Sequence, residues 1–442
     1  MRRGARTWAT VTAIGAVAAS LVSCAPRHRP ERVATVYPSA GIITDTAAAT
    51  LEMGDRIAWI ALAVGAPAAP VSGIGAFEVL EQGGKRVLVR GNGGEAWRIE
   101  RQGQTMRLAG GRGDATPWRQ GPFVLRVRDR GAVVLHDGKR YRGELWVSAS
   151  NAGLLVVNRL SVEDYLRGVV PLELGTRAPG DAAALQAQAI AARSYAYMRV
   201  PSAESVPAAG YHMTATVQHQ VYGGVSAEHP VVDNAIAATS GLVLRYNGAV
   251  VDGPYSSSCG GQSAQPSEVW RGGSDQGYLQ SVSDVDPRTG RAFCDISPRH
   301  TWEVTYDEPL LRQAIVRHLG SRGASGTTAP QVESVAVGRR TASGRVGTLV
   351  LRTDRGTVTL EGYDIRSAFR DARGAILFST YFEVDKQTRV GERVSGVVLR
   401  GGGNGHGVGM CQWGAIGRAR AGHDARAILR HYYPGTVVGF AE

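Results

Sequence analysis

The chain has 442 residues, more than one ordinary domain needs, which leaves either several domains or one large body with an elaboration. Lys and Arg number 50 against 38 Asp and Glu, a net charge of +12, but the excess is spread along the chain. No long Lys/Arg run with interleaved aromatics is present, which argues against a surface that tracks nucleic acid.

Arg2, Arg3 and Arg6 open the chain, and residues 8–22 follow as an apolar stretch too short and too rich in small residues for a good membrane span. This is the pattern of a secretion signal over residues 1–23. It ends in Leu21-Val22-Ser23-Cys24. A small residue before a cysteine at this place resembles the lipobox of bacterial lipoproteins, in which the cysteine is lipidated and becomes the mature N-terminus. A plain signal peptide is the alternative. Residues 24–50 carry Pro26, Pro30 and Pro38 with little periodic hydrophobicity, and read as a flexible tether that cannot bury enough apolar area to fold alone. One acylated cysteine and a tether would hold a soluble body at the outer face of a membrane. Setting residues 1–23 aside removes three arginines and no acids, leaving +9. In an exported protein that charge suits anionic wall polymers or lipid headgroups.

Residues 51–157 read as β-rich. Arg86-Val87-Leu88-Val89, Phe123-Val124-Leu125-Arg126-Val127 and Ala132-Val133-Val134-Leu135 are short alternating runs between Gly-rich turns, and Asp137-Gly138 is a two-residue hairpin signal. The character changes at Leu160. A short helix over 163–168 is expected to lead into Glu173, and a longer one over 181–199 is closed by Pro201. Another helix begins at Pro230 and stops at Gly241. Asn247-Gly248 joins runs 242–246 and 249–251 as a second hairpin. A helix over 308–319, a Gly/Ser/Thr loop over 320–330 and strands over 332–360 belong to a strand-rich insertion spanning about 300–395. A glycine cluster at 401–405 and helices over 412–421 and 425–432 finish the chain. Strands and helices are segregated, which predicts an α+β fold, its core helices packed on antiparallel strands.

Glu173 follows the apolar run Val169-Val170-Pro171-Leu172 and precedes an alanine-rich helix. A carboxyl between apolar neighbours has its charged form disfavoured, which raises its pKa toward that of a general acid. A solvated glutamate at an element boundary is the plainer reading. Besides Cys24 the cysteines are Cys259, Cys294 and Cys411. In an oxidising compartment two of the three can pair, and Cys259 with Cys294 closes the shortest loop. A Cys/His metal site using His406 is the rival, although the spacings match no standard zinc pattern.

Several blocks agree on one family. Asn158-Arg159-Leu160-Ser161-Val162-Glu163-Asp164-Tyr165-Leu166-Arg167-Gly168-Val169-Val170-Pro171-Leu172-Glu173 and Ala184-Leu185-Gln186-Ala187-Gln188-Ala189-Ile190-Ala191-Ala192-Arg193-Ser194-Tyr195-Ala196 resemble the core of the SpoIID/LytB family, stage II sporulation protein D and amidase enhancer. Gln220-Val221-Tyr222-Gly223-Gly224 and Tyr255-Ser256-Ser257-Ser258-Cys259-Gly260-Gly261 look like its next blocks. Gly405-His406-Gly407-Val408-Gly409-Met410-Cys411-Gln412-Trp413-Gly414-Ala415 and Ile428-Leu429-Arg430-His431-Tyr432-Tyr433-Pro434-Gly435-Thr436 look like its C-terminal signature. The blocks stand in family order from residue 158 to 436.

The resemblance implies a wall protein acting on peptidoglycan glycan strands, either as a lytic transglycosylase or as an enhancer of a cell-wall amidase. The family's catalytic glutamate falls on Glu173. Hydrolytic glycosidases usually use two carboxyls, whereas a lytic transglycosylase needs one, because the muramic acid C6 hydroxyl attacks its own anomeric carbon. Glu163 and Asp164 sit at a helix start, where acids stabilise the dipole, and are assigned to structure. The family block places Arg193 and Tyr195 toward the substrate, with Arg193 binding a carboxylate or orienting Glu173. Tyr222, Ser256, Ser257 and Ser258 are candidates to offer hydroxyls to sugar, and Gly260-Gly261 to let backbone approach it. No G-x-S-x-G elbow marks a serine nucleophile. His406 is expected to line the cleft as a hydrogen-bonder, or else to be a buried histidine tied to a backbone carbonyl, and Gln412 follows near a helix start. Two departures stand out. Many relatives carry Lys where Gln186 stands, and the stretch 212–219 lacks the cysteines of the zinc cluster found in some sporulation members, so no metal or cofactor is expected.

Overall fold

The computed structural model describes residues 56–81, 84–129, 131–323 and 329–441. The expected signal segment over residues 1–23, Cys24 and the expected tether over 24–50 lie outside the described residues. No helix among the described residues is long and apolar enough to cross a membrane.

The fold is α+β. Two antiparallel sheets build the N-terminal part. One runs, in spatial order, through Met213–Thr214, Ile57–Ala66, Gly153–Ser161, Glu144–Ser150, Phe123–Val127, Phe77–Glu81 and Arg86–Gly91, all antiparallel except the short first pair. The other runs through Lys139–Tyr141, Val133–His136, Ala68–Ile74, Trp97–Gln102, Thr105–Gly110 and Arg119–Gln120. Alternation decides which side chains face inward: Leu145 and Val147 are buried while Glu144, Trp146 and Ser148 between and beside them are partly exposed. Phe77, Phe123 and Val156 from the first sheet meet Val71, Ile99 and Leu108 from the second in one core. Asp137 (φ 48°) and Gly138 (φ 73°) make the tight turn the dipeptide announced, pairing His136 with Lys139.

The helices are α1 (Val162–Leu174), α2 (Ala182–Tyr197), α3 (Pro230–Ala237), α4 (Pro266–Val269), α5 (Glu308–Ser321), α6 (Gly362–Ala368), α7 (Gln412–Arg420) and α8 (Ala425–Tyr432). The strand Gly153–Ser161 turns directly into α1, where the Ser161 hydroxyl accepts the Asp164 N–H at 3.1 Å as an N-cap. The expected short helix followed by a loop is instead one helix that contains both Pro171 and Glu173. An interior proline costs a helix roughly 3 kcal/mol. Val162, Tyr165, Leu166, Val169, Val170 and Leu174 are buried on α1, at about 1.5–3 kcal/mol for each large apolar side chain, which outweighs the lost bond. The alanine stripe of α2 lets α1, α3, α7 and α8 all pack against it, so that little of α2 reaches water.

Residues 302–399 carry a separate core, with Trp302, Tyr306, Leu311, Leu349, Phe369 and Val397 among its buried members. Its strands enter and leave through one antiparallel pair, Thr301 opposite Gly402.

Candidate active site

Tyr165, Val169 and Glu173 follow one another at four-residue spacing on α1, so they share one face. That face is the buried one. The helix therefore aims an acid at the protein interior where another apolar residue would ordinarily stand. Glu173 is half-buried, and its carboxyl Oε1 accepts the Val221 N–H at 3.0 Å. The Gln412 side chain bonds the same carboxyl. Burial pushes the Glu173 pKa above the usual carboxylate range, against the smaller pull of those two bonds. No neighbouring carboxylate contributes to that shift.

Around the acid stand three phenols, Tyr165, Tyr195 and Tyr255, each within electrostatic reach of Glu173 and each held neutral chiefly by burial. Gln220 ties two of them together. Its Oε1 accepts the Tyr165 hydroxyl at 3.1 Å, and its Nε2 donates to the Tyr255 oxygen at 2.9 Å. Tyr195 is partly exposed, with the Arg199 guanidinium 3.3 Å from its ring centroid. Gln412 is 6% exposed and donates to Gln188 Oε1 at 3.3 Å. Beside it, Gln188 Nε2 is buried and has no hydrogen-bond partner among the described residues. Two cavities, of about 180 and about 400 Å³, lie elsewhere; one is lined by Glu268, Arg339 and Tyr363, the other by Trp59, Trp146 and Arg159. Glu173 lines neither.

Of the expected substrate ligands, Tyr195 and Gln412 gather with Glu173, and the others are placed differently. Arg193 is 0% exposed and locked bidentate to Glu163 at 2.6 and 2.8 Å, with a third bond to Leu242 O at 3.0 Å. It belongs to the core, because α2 has no face turned to solvent at that point. Tyr222 is also core: it is 6% exposed, packs on the rings of Tyr141 and Tyr165, and donates to Asn158 Oδ1 at 2.8 Å. Tyr222→Phe is therefore expected to lower stability by about 1–3 kcal/mol in urea unfolding, by orphaning the Asn158 oxygen. Ser256 is buried, and its hydroxyl accepts the Gly407 N–H at 3.1 Å. Ser257 is partly buried and offers its carbonyl to the Trp413 N–H at 3.0 Å.

His406 is held by its own loop and its neighbours, with Arg366 and Arg345 of the inserted lobe close by. Its ring lies 5.1 Å from that of Trp270, its Nδ1 accepts the Val408 N–H at 3.1 Å, and the ring also bonds the Tyr255 backbone. Both nitrogens thus serve the protein's own backbone. Burial, reinforced by Arg366, pushes its pKa down to about 4, so the imidazole is neutral at ordinary pH. The loop that carries it needs its glycines: Gly403, Gly405, Gly407 and Gly409 all have φ between 69° and 109°.

The residues missed by sequence reasoning are Gln220 and Tyr255, each the first residue of a motif whose later members drew attention instead. The cysteines are also arranged otherwise than expected. Cys259, Cys294 and Cys411 are free thiols; the Cys259 and Cys294 sulfurs lie 3.8 Å apart, unjoined. Together with Asp284 they form a buried cluster whose donor atoms all lie within 4.8 Å of one another. His406 is not part of it, and the histidine nearby is His300, 3.6 Å from the Cys294 sulfur.

A family model described as "Stage II sporulation protein" matches residues 150–246, and one described as a domain of unknown function (DUF8618) matches residues 295–409. The chain is 30% identical over 303 residues to an uncharacterized protein of Brachyspira hyodysenteriae, covering 68% of this chain and 73% of that protein. It is 32% identical over 303 residues to the amidase enhancer of Bacillus subtilis, covering 62% of this chain but only 40% of the enhancer. Identity to stage II sporulation protein D of Bacillus subtilis is 28% over 298 residues, 65% of this chain and 76% of that protein.

Proposed function

Because this chain belongs to the SpoIID/LytB family, whose members are cell-wall-related, we propose that it cleaves peptidoglycan glycan strands as a lytic transglycosylase with Glu173 as general acid and base. The observation that carries the reading is a single half-buried carboxyl, raised in pKa by burial and held by the Val221 N–H and the Gln412 amide. The protonated carboxyl gives its proton to the bridging glycosidic oxygen as the bond to the anomeric carbon breaks. The C6 hydroxyl of the same muramic acid closes on that carbon, and its proton passes to the carboxylate, restoring the acid. Between the two transfers the Val221 N–H and the Gln412 amide stabilise the anion. Intramolecular attack supplies the effective molarity that a second carboxylate and a water would otherwise provide.

Digestion of purified glycan strands, with mass spectrometry of the new ends, tests the proposal. Anhydro-muramoyl ends are the expected product. Reducing ends would mean a hydrolase, and no cleavage with retained stimulation of a wall amidase would mean an enhancer, the reading favoured by the similarity to the Bacillus subtilis amidase enhancer. The pH profile follows from the acid. Cleavage should fall on the alkaline side as Glu173 ionises, at a midpoint above the ordinary glutamate range. His406, neutral above about 4, should add no limb between pH 5 and 8.

The same proposal places the protein outside the cell membrane, exported by residues 1–23 and anchored through an acyl group on Cys24. Its basic balance would then face anionic wall polymers. Labelled fatty acid should enter the chain and be lost in Cys24→Ala; labelling that survives the substitution rules out that anchor.

A further inference from the structure

We propose that Cys259, Cys294, Cys411 and Asp284 form a closed, four-coordinate site for one zinc ion. The four donors come from far apart in the chain: Cys259 follows the short strand Tyr255–Ser256, Cys294 lies on the 3-10 turn Phe293–Ile296, and Cys411 precedes α7. None is more than 1% exposed. The site is distinct from the stretch 212–219.

All four donor atoms lie within 4.8 Å of one another, and two of their spacings are those of one ion's shell. Zinc binds thiolate sulfur at about 2.3 Å and carboxylate oxygen at about 2.0–2.2 Å, so a tetrahedron around it has S–S edges of about 3.8 Å and S–O edges of about 3.5 Å. The Cys259 and Cys294 sulfurs are 3.8 Å apart, and the Cys259 sulfur is 3.6 Å from Asp284 Oδ2. Asp284 is already oriented for one-oxygen binding. Its Oδ1 accepts the Tyr432 hydroxyl at 2.6 Å and the Arg418 Nε at 3.2 Å, leaving Oδ2 to the sulfurs. Such outer partners fix a ligand's direction. The Cys411 sulfur accepts N–H groups from Cys259 at 3.2 Å and Gly414 at 3.3 Å, support suited to a metal-bound thiolate.

Charge points the same way. Binding releases three thiol protons to solvent, and three thiolates plus one carboxylate around a divalent ion leave two negative charges. Two buried arginines face the cluster: Arg418, paired with Asp284, and Arg345, which donates to Cys259 O at 3.1 Å. A buried charge is tolerated when paired in this way. The sulfur-rich set with one oxygen selects zinc among the common divalent ions, and with all four positions filled by protein the ion is structural. It would fix the start of α7, and with it Gln412, the residue after Cys411. The inference stands whether or not Glu173 catalyses anything.

The test uses the full chain purified without chelator. Elemental analysis should give one zinc per chain, and protein stripped by chelator should, on adding cobalt(II), develop thiolate-to-metal charge-transfer bands and the visible bands of a tetrahedral ion. Cys294→Ser should lose both. Tyr432→Phe keeps the ring and so the packing, and should weaken zinc binding by about 10–100-fold. Folded protein with neither zinc nor cobalt bands overturns the proposal. So does peptide mapping that finds Cys259 and Cys294 joined as a disulfide in folded, metal-free protein.

Discussion

Glu173→Gln should reduce the release of anhydro-ended muropeptides by about 10²–10⁴-fold, the usual contribution of a positioned general acid. The substitution keeps the shape of the side chain and its ability to accept the Val221 N–H, so it removes the proton and little else. Stability should not fall. The folded-state pKa of Glu173 is raised, so its contribution to stability is full below the unfolded glutamate pKa and declines as pH rises through the folded value. At neutral pH the ionised group is therefore a burden that the neutral amide lifts. A thermal melt of Glu173→Gln at or slightly above the parent at pH 7, with cleavage lost, is the expected pair of results. Cleavage at the parent rate would remove Glu173 from the mechanism. Loss of both cleavage and fold would instead make it a structural residue.

Arg193→Ala should be the most destabilising single change at the helical core, by about 3 kcal/mol or more in urea unfolding, since breaking a buried pair by removing one partner typically costs 3–5. Glu163 keeps some contact with water, at 25% side-chain exposure, which moves the expectation to the lower end of that range. The Leu242 carbonyl loses its donor as well. Arg193→Lys should recover only part of the loss, because one ammonium cannot reproduce the two parallel bonds to Glu163. If the folded fraction of either variant showed a raised KM at unchanged stability, Arg193 would be a substrate ligand after all.

The sheets and hairpins were readable because their information is local. Period-two alternation and the dipeptides Asp137-Gly138 and Asn247-Gly248 specify strand and turn without help from the rest of the chain; Asn247 and Gly248 indeed sit at φ 50° and 82°. The burial of the Glu173 carboxyl was readable because an apolar run with one carboxyl in it is itself unusual. What failed was direction. Tyr222 and Gln220 are two positions apart, and Tyr255 and Ser256 are adjacent; in each motif the earlier residue joins the network around Glu173, while the later one bonds elsewhere in the fold. Arg193 was turned toward substrate on the strength of the family block alone, yet an alanine stripe that admits four neighbouring helices leaves it no surface. The cysteine cluster was readable only in part: Cys259 and Cys294, singled out as a pair, do stand side by side, but nothing local announced Cys411 and Asp284 beside them. Its nearest sulfurs are 35 positions apart in sequence, and only the tertiary fold brings Asp284 between them.

The pairing of Thr301 with Gly402 has a consequence for how such a chain can change over time. A lobe whose two ends depart side by side adds almost no topological constraint to its host, so insertions or trims beyond that doorway leave the host's strand order intact. Contacts back to the host hold the lobe in place: Arg345 reaches the Cys259 carbonyl, Ser343 donates its N–H to Glu268 at 3.2 Å, and Asp364 pairs with Arg271 at 2.8 Å. Sequence drift should therefore be free over most of the lobe's outer strands and tightly policed at those few residues.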